Sequence, residues 1–134
     1  MSKEHVLQLT AIACGGALGA LSRYGVSSWA FHQFGNAFPY GTLIVNVVGC
    51  FLLGVLSQVS THSSPLPYAV RAALTVGFLG ALTTFSTFGY ETFAQLEQRQ
   101  PGMALLNVGA NLALGLLTVW LGILLIRLLI PPPV

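Results

Sequence analysis

Three long stretches of the sequence contain no charged side chain. They cover residues 24–70, 72–90 and 100–126. A helix that crosses a bilayer needs about 20 mostly apolar residues, and charged groups are costly at membrane depth. The sequence therefore predicts an all-α integral membrane protein with a single transmembrane domain over residues 1–134. The four predicted transmembrane helices cover about residues 6–31, 38–60, 68–94 and 102–130.

The overall composition favours the same class of protein. Only 6% of the residues are charged, against about 25% in soluble domains, and 54% are hydrophobic. Disordered chains need low hydrophobicity and high charge, so disorder is excluded. A soluble fold is disfavoured because a chain of 134 residues exposes much of its surface to the solvent. The expected surroundings are a lipid bilayer, and nucleic acid is not an expected partner because no basic patch is present.

The basic residues are almost evenly divided between the two ends of the predicted bundle. Short connections make consecutive helices antiparallel, so Lys3, Arg71 and Arg127 fall on one side of the membrane. Arg23 and Arg99 fall on the other side. Because an excess of Lys and Arg sets the orientation, this near-balance favours insertion in both directions and an antiparallel, dual-topology homodimer. The alternative is a single orientation that is weakly favoured by other means.

No motif indicates an enzyme or a metal site made of side chains. Cys14 and Cys50 fall within apolar segments and are expected to act as small hydrophobic residues. His5 and His62 fall at segment ends and His32 in a predicted loop, without the spacing of metal ligands. Since no nucleophile is paired with a base, we expect that the chain is not an enzyme.

Polar amides inside the apolar segments mark a second group of candidates. Asn46 falls near the middle of the second segment, and Asn107 and Asn111 are one helical turn apart in the fourth. Each amide costs free energy in the bilayer unless it is paired or faces water or protein. These residues are therefore expected either to form hydrogen bonds between helices or to line a hydrated path.

The third segment is the most unusual part of the chain. Residues 77–88 combine two glycines with four hydroxyl residues and two phenylalanines after them, where the bilayer centre is expected. Irregular backbone survives at that depth only inside protein or beside a cavity. The cluster favours a helix that is broken there, with carbonyls suited to a cation and helix N-termini suited to an anion. The alternative is a continuous helix whose hydroxyls bond to the preceding turn.

The run from Gly77 to Phe88 closely resembles the signature of the Fluc (CrcB-like) fluoride channel family. Residues 16–24 and 39–49 are similar to that family's first-helix and second-helix motifs. The resemblance implies a fluoride-specific channel that exports fluoride passively across the bacterial inner membrane and lowers its toxicity. It also implies an antiparallel dimer with two fluoride paths and a structural, untransported Na⁺ ion at its centre. Backbone carbonyls of Gly80 and Thr83 from both subunits would hold that ion.

The resemblance also implies roles for individual side chains. Phe85 and Phe88 match the paired pore phenylalanines, and Arg23 matches a basic residue near the vestibule. The remaining expected path residues are Asn46, Ser86, Thr87 and Asn111. In the fourth helix the family tends to have Ser, Thr or Tyr, whereas this chain has Asn107, Asn111 and Gly115.

The side chains of these residues have the chemistry that a path for an anion requires. Amides and hydroxyls donate hydrogen bonds, and phenyl ring edges carry the positive end of the ring quadrupole. Conduction requires weak, multiple sites, which a fixed cation inside the path would prevent. A small four-helix drug/proton antiporter stays an alternative, with Glu91 as its one acidic candidate within a span. A pure assembly protein would need only the small-residue surface of Gly15 and Gly19.

Overall fold

The computed structural model describes residues 2–62 and 66–130, and all regular structure in those ranges is helical. The elements follow in the order α1 (Lys3–Phe34), α2 (Tyr40–His62), α3 (Tyr68–Ala72), a π-helical segment (Ala73–Leu79), α4 (Gly80–Leu82), α5 (Phe85–Glu97) and α6 (Pro101–Leu129). Within these ranges, four stretches are long and apolar enough to cross a membrane. The prediction of an all-α chain with four helices able to span a membrane is therefore confirmed. The third span, Tyr68–Glu97, contains every element from α3 to α5.

The first helix is longer than the sequence predicted. Ser2 caps its N-terminus by accepting a hydrogen bond from the His5 backbone N–H at 3.3 Å. The helix ends at Phe34, and Gly35 follows with a φ of +72°, a conformation that favours glycine. His32 therefore lies in the last turn of α1, and the prediction that it lies in a loop was wrong. The predicted connection at residues 60–67 falls partly outside the described residues.

The third span is interrupted between α4 and α5. Thr83 has φ −81° and ψ 155°, and Thr84 has φ −152° and ψ 117°, so both residues are extended. Upstream, the π-helical segment has wider turns than an α-helix. The backbone therefore departs from α-helical geometry twice within one span.

Close approach of backbones joins the helices in pairs. The first helix packs along the third span, where a Cβ atom on Gly15 would collide with the Ala73 carbonyl oxygen. The second helix packs along α6, where a Cβ atom on Gly54 would collide with the Val119 carbonyl oxygen. Small residues at these points permit the tight packing typical of helices in lipid.

The outer surface of the described residues is strongly apolar. Leu105 is 73% exposed, Leu116 72% and Leu128 74%. Such side chains would form aggregation-prone patches in water, whereas lipid tails solvate them without cost. Together with the four long apolar helices, this surface is that of a multi-pass membrane protein.

Candidate functional site

The interruption of the third span is held by a side chain from α2. The backbone N–H of Thr84 donates to Asn46 Oδ1 at 2.9 Å, and Asn46 Nδ2 donates to the Thr84 carbonyl at 3.4 Å. The Asn46 amide thus pairs with both polar groups of one extended residue, as a neighbouring strand would. This pairing satisfies backbone groups that an uninterrupted helix would have bonded internally.

Two carbonyls at the interruption lose their helical donors. In a continuous α-helix, Gly80 would accept from the Thr84 amide and Thr83 from the Thr87 amide. Instead, the Thr84 amide donates to Asn46, and the Thr87 amide donates to Thr84 Oγ1 at 3.2 Å. Carbonyl oxygens in this state suit a hard cation such as Na⁺. Within the described residues, no group of three or more His, Cys, Asp and Glu side chains offers another metal site.

Hydroxyl groups gather at the N-terminus of α5. Thr84 is its N-cap residue, and its Oγ1 atom donates to Thr87 Oγ1 at 3.0 Å. Ser86 Oγ lies 3.2 Å from the same Thr84 oxygen. Ser86 is exposed and Thr87 half-buried. The positive end of the helix dipole and three neighbouring hydroxyls therefore coincide at this point.

The two phenylalanines that are predicted to line the ion path, Phe85 and Phe88, lie in contrasting surroundings. Phe85 is 81% exposed, whereas Phe88 is 9% exposed. Their ring centroids are 5.5 Å apart and the rings are tilted by 53°. One ring therefore belongs to the packed interior, and the other projects from the chain next to it.

A cavity of about 340 Å³ adjoins the interruption, and we refer to it as the break cavity. Its lining includes Asn46, Gly80, Thr83, Thr84, Phe85, Phe88 and Asn111. The structure thus brings six of the nine predicted site residues to one cavity. Ser86 and Thr87 do not line it but neighbour Thr84, which does. Arg23 lies on α1, half-buried and away from this lining.

A ladder of amides leads from the break cavity along α6. Asn46 Nδ2 donates to Asn111 Oδ1 at 2.9 Å, and Asn111 Nδ2 donates to Asn107 Oδ1 at 2.9 Å. Asn107 is fully buried, and its Nδ2 atom donates to Thr92 Oγ1 at 2.9 Å. The spacing of Asn107 and Asn111 indicated their shared face, but nothing in the sequence indicated Thr92 as the partner. In this conformation, Asn46 Nδ2 donates to two protein acceptors, the Thr84 carbonyl and Asn111 Oδ1.

A second polar contact, which the sequence did not indicate, joins α2 to α5. Thr42 Oγ1 donates to Glu91 Oε1 at 2.8 Å, and Thr42 is buried. Thr42 lies one helical turn before Asn46, so the two side chains share a face of α2. The only signal in the sequence was the presence of an acidic residue inside a span.

Known proteins similar to this chain point to one family. The family model described as "CrcB-like protein, Camphor Resistance (CrcB)" matches residues 10–123. The fluoride-specific ion channel FluC of Acidobacterium capsulatum is 51% identical over 111 residues, which are 83% of this chain and 89% of that protein. The protein of the same name from Geobacter metallireducens is 48% identical over 91% of this chain and 98% of its own length.

A third relative, the fluoride-specific ion channel FluC of Trichlorobacter lovleyi, is 49% identical over 87% of this chain and 92% of its own length. By their names, these relatives are ion channels and not enzymes. Matches of this extent agree with the resemblance found in the first three helices. The chain belongs to the CrcB-like family.

Proposed function

We propose that this chain conducts fluoride passively across the bacterial inner membrane, exporting it and lowering its cytoplasmic toxicity. The observation that carries the proposal is the break cavity, where Asn46, Phe85 and Phe88 surround the interruption of the third span. No charged side chain from the described part of the chain lines this cavity. The names of the similar channels support fluoride as the conducted ion.

The chemistry of the cavity fits a small, strongly hydrated anion. Such an ion loses its water only where donors replace it, and hydroxyls, amides and ring edges are donors of moderate strength. Asn46 donates to Thr84 through a long bond of 3.4 Å, which is the contact that an entering anion would replace. Exchange of one weak bond for another permits binding without trapping, as conduction requires.

Two paths in an antiparallel homodimer complete the proposal. Phe85 is 81% exposed beside the cavity, so one wall of the path is open in the single chain. A second copy in the opposite orientation would cover this ring and complete the wall. The near-even division of the five basic residues favours insertion in both directions.

A structural sodium ion at the dimer centre fits the interruption. The carbonyls of Gly80 and Thr83 lack their helical donors, and Gly80 is exposed on the surface of the chain. Two carbonyls from each of two chains would give four oxygen ligands, a donor set that suits Na⁺. When bound, the ion would supply positive potential near the path without being transported.

Fluoride efflux from proteoliposomes tests the proposed function. Vesicles loaded with potassium fluoride and treated with a potassium ionophore are expected to release fluoride to an ion-selective electrode. Matched vesicles loaded with potassium chloride are expected to retain chloride. Fluoride retention by vesicles that contain correctly folded protein would contradict the proposal, and acid-driven drug uptake instead would favour the antiporter.

A further inference from the structure

A second cavity, of about 390 Å³, lies between the end of α1, the start of α2 and the end of α5. We refer to it as the Glu91 cavity, after the acidic residue in its lining. It contains none of the residues that the family resemblance places on the ion path. The lining combines Glu91 with four amide residues, Asn36, Gln95, Gln98 and Gln100.

Two oxygen atoms in this lining lack a hydrogen-bond donor. Glu91 Oε2 and Gln95 Oε1 are buried, and neither has a partner within the described part of the chain. Gln95 is 8% exposed, and it lies one helical turn after Glu91 on the same face of α5. Buried acceptors without donors cost free energy, so an arrangement of two such atoms indicates a ligand that attracts both.

The charge of the cavity narrows the class of ligand. Among the described residues, Glu91 is the only charged one in the lining, and Tyr40 and Tyr90 are the other titratable residues there. Thr42 donates a hydrogen bond to one carboxylate oxygen but brings no positive charge. No Lys, Arg or His from the described ranges belongs to the lining, so no cationic side chain there neutralises the carboxylate.

We propose that Glu91 and Gln95 form a binding site for a monovalent metal cation, with sodium as the probe. Carboxylate and amide oxygens are the ligands that hard cations prefer. One carboxylate neutralises the charge of a monovalent cation fully, whereas it neutralises that of a divalent cation only in part. The cavity has room for the ion and the water molecules that complete its coordination.

Sodium-binding measurements on purified protein test the site directly. Equilibrium dialysis with a radioactive sodium tracer is expected to show one Na⁺ fewer per chain in Glu91→Gln than in the wild type. Gln95→Met is expected to bind with about tenfold weaker affinity, because one oxygen ligand is lost. Glu97→Gln is the matched control, since Glu97 is exposed on the same helix and outside the cavity lining, and it should bind as the wild type does.

The measurement is independent of fluoride conduction and of the proposed central sodium ion. Any ion held by the Gly80 and Thr83 carbonyls contributes equally to the wild type and to Glu91→Gln, so the difference reports the Glu91 cavity alone. Elution of all variants at the wild-type position in size-exclusion chromatography verifies folding. Equal sodium binding by the wild type and Glu91→Gln overturns the proposal. An infrared band of a protonated carboxyl that disappears in Glu91→Gln also overturns it, because a proton then takes the place of the metal ion.

Discussion

At the scale of single residues, Phe85 and Phe88 differ in exposure, although they belong to the same sequence motif. Phe88 is packed inside the chain, whereas Phe85 projects outward beside the break cavity. Replacing either ring with isoleucine keeps an apolar side chain but removes the positive ring edge. We expect Phe85→Ile and Phe88→Ile each to lower fluoride efflux from proteoliposomes by roughly tenfold. Phe93→Ile, a matched change at an exposed position of the same helix, should leave the efflux rate unchanged.

Unchanged efflux in both Phe85→Ile and Phe88→Ile would exclude the aromatic role. A loss in Phe88→Ile alone, accompanied by a lower unfolding midpoint, would indicate packing instead, because Phe88 is nearly buried. Phe85→Ile is the sharper variant, since its ring is 81% exposed and contributes little to the packing of the single chain.

Asn46 combines a structural role with its proposed role in conduction. Its carbonyl oxygen accepts from the Thr84 amide, and its nitrogen donates to Thr84 and Asn111. Asn46→Asp keeps the acceptor but replaces the donor with a negatively charged oxygen. We expect fluoride efflux to fall by at least about tenfold, because anions are repelled and two donated bonds are lost. Efflux at the wild-type rate would show that Asn46 does not face the path.

At the scale of the helices, the tight contact between α2 and α6 depends on Gly54. A Cβ atom at this position would collide with the backbone of Val119, which cannot rotate away. We expect Gly54→Ala to lower the free energy of unfolding by about 2 kcal/mol. Gly109→Ala is the matched control, because nothing lies within 4 Å of its added Cβ atom. Denaturant titration in detergent micelles measures both variants, and equal stability of the two would contradict the close-packing argument.

The sequence predicted the helices better than it predicted their contacts. The number of spans follows from the charge-free stretches. An apolar segment of about 20 residues is long enough to cross the bilayer as one helix. The ladder from Asn46 through Asn111 and Asn107 to Thr92 joins residues that are far apart in the sequence. Periodicity within one helix groups residues on a face, but it carries no information about the helix opposite. The family resemblance grouped six residues that line the break cavity, whereas their partners across the helices could not be predicted from the sequence.

At the scale of the whole molecule, the five basic residues lead to a prediction about orientation. We expect a reporter fused to the C-terminus to be found on both sides of the membrane. Two variants can be made, each with Lys residues added at one of the two opposite ends of the helix bundle. Each variant should insert in a single orientation, and neither alone should release fluoride from cells. Co-expression of two oppositely biased variants should restore release, because the antiparallel pair can form again. Activity of a singly oriented variant would exclude the antiparallel dimer as a requirement.

The π-helical segment Ala73–Leu79 has a consequence for rotation along the third span. An α-helix turns by about 100° per residue, and a π-helical turn contains about one residue more than an α-helical turn. Side chains after this segment therefore point in directions that are rotated about the helix axis, compared with those of a continuous α-helix. Ala73 and Gly77 meet α1, while Gly80 and Thr83 face the break cavity. The third span can thus keep one side against α1 along its length and turn another side toward the break cavity, without a loop between them.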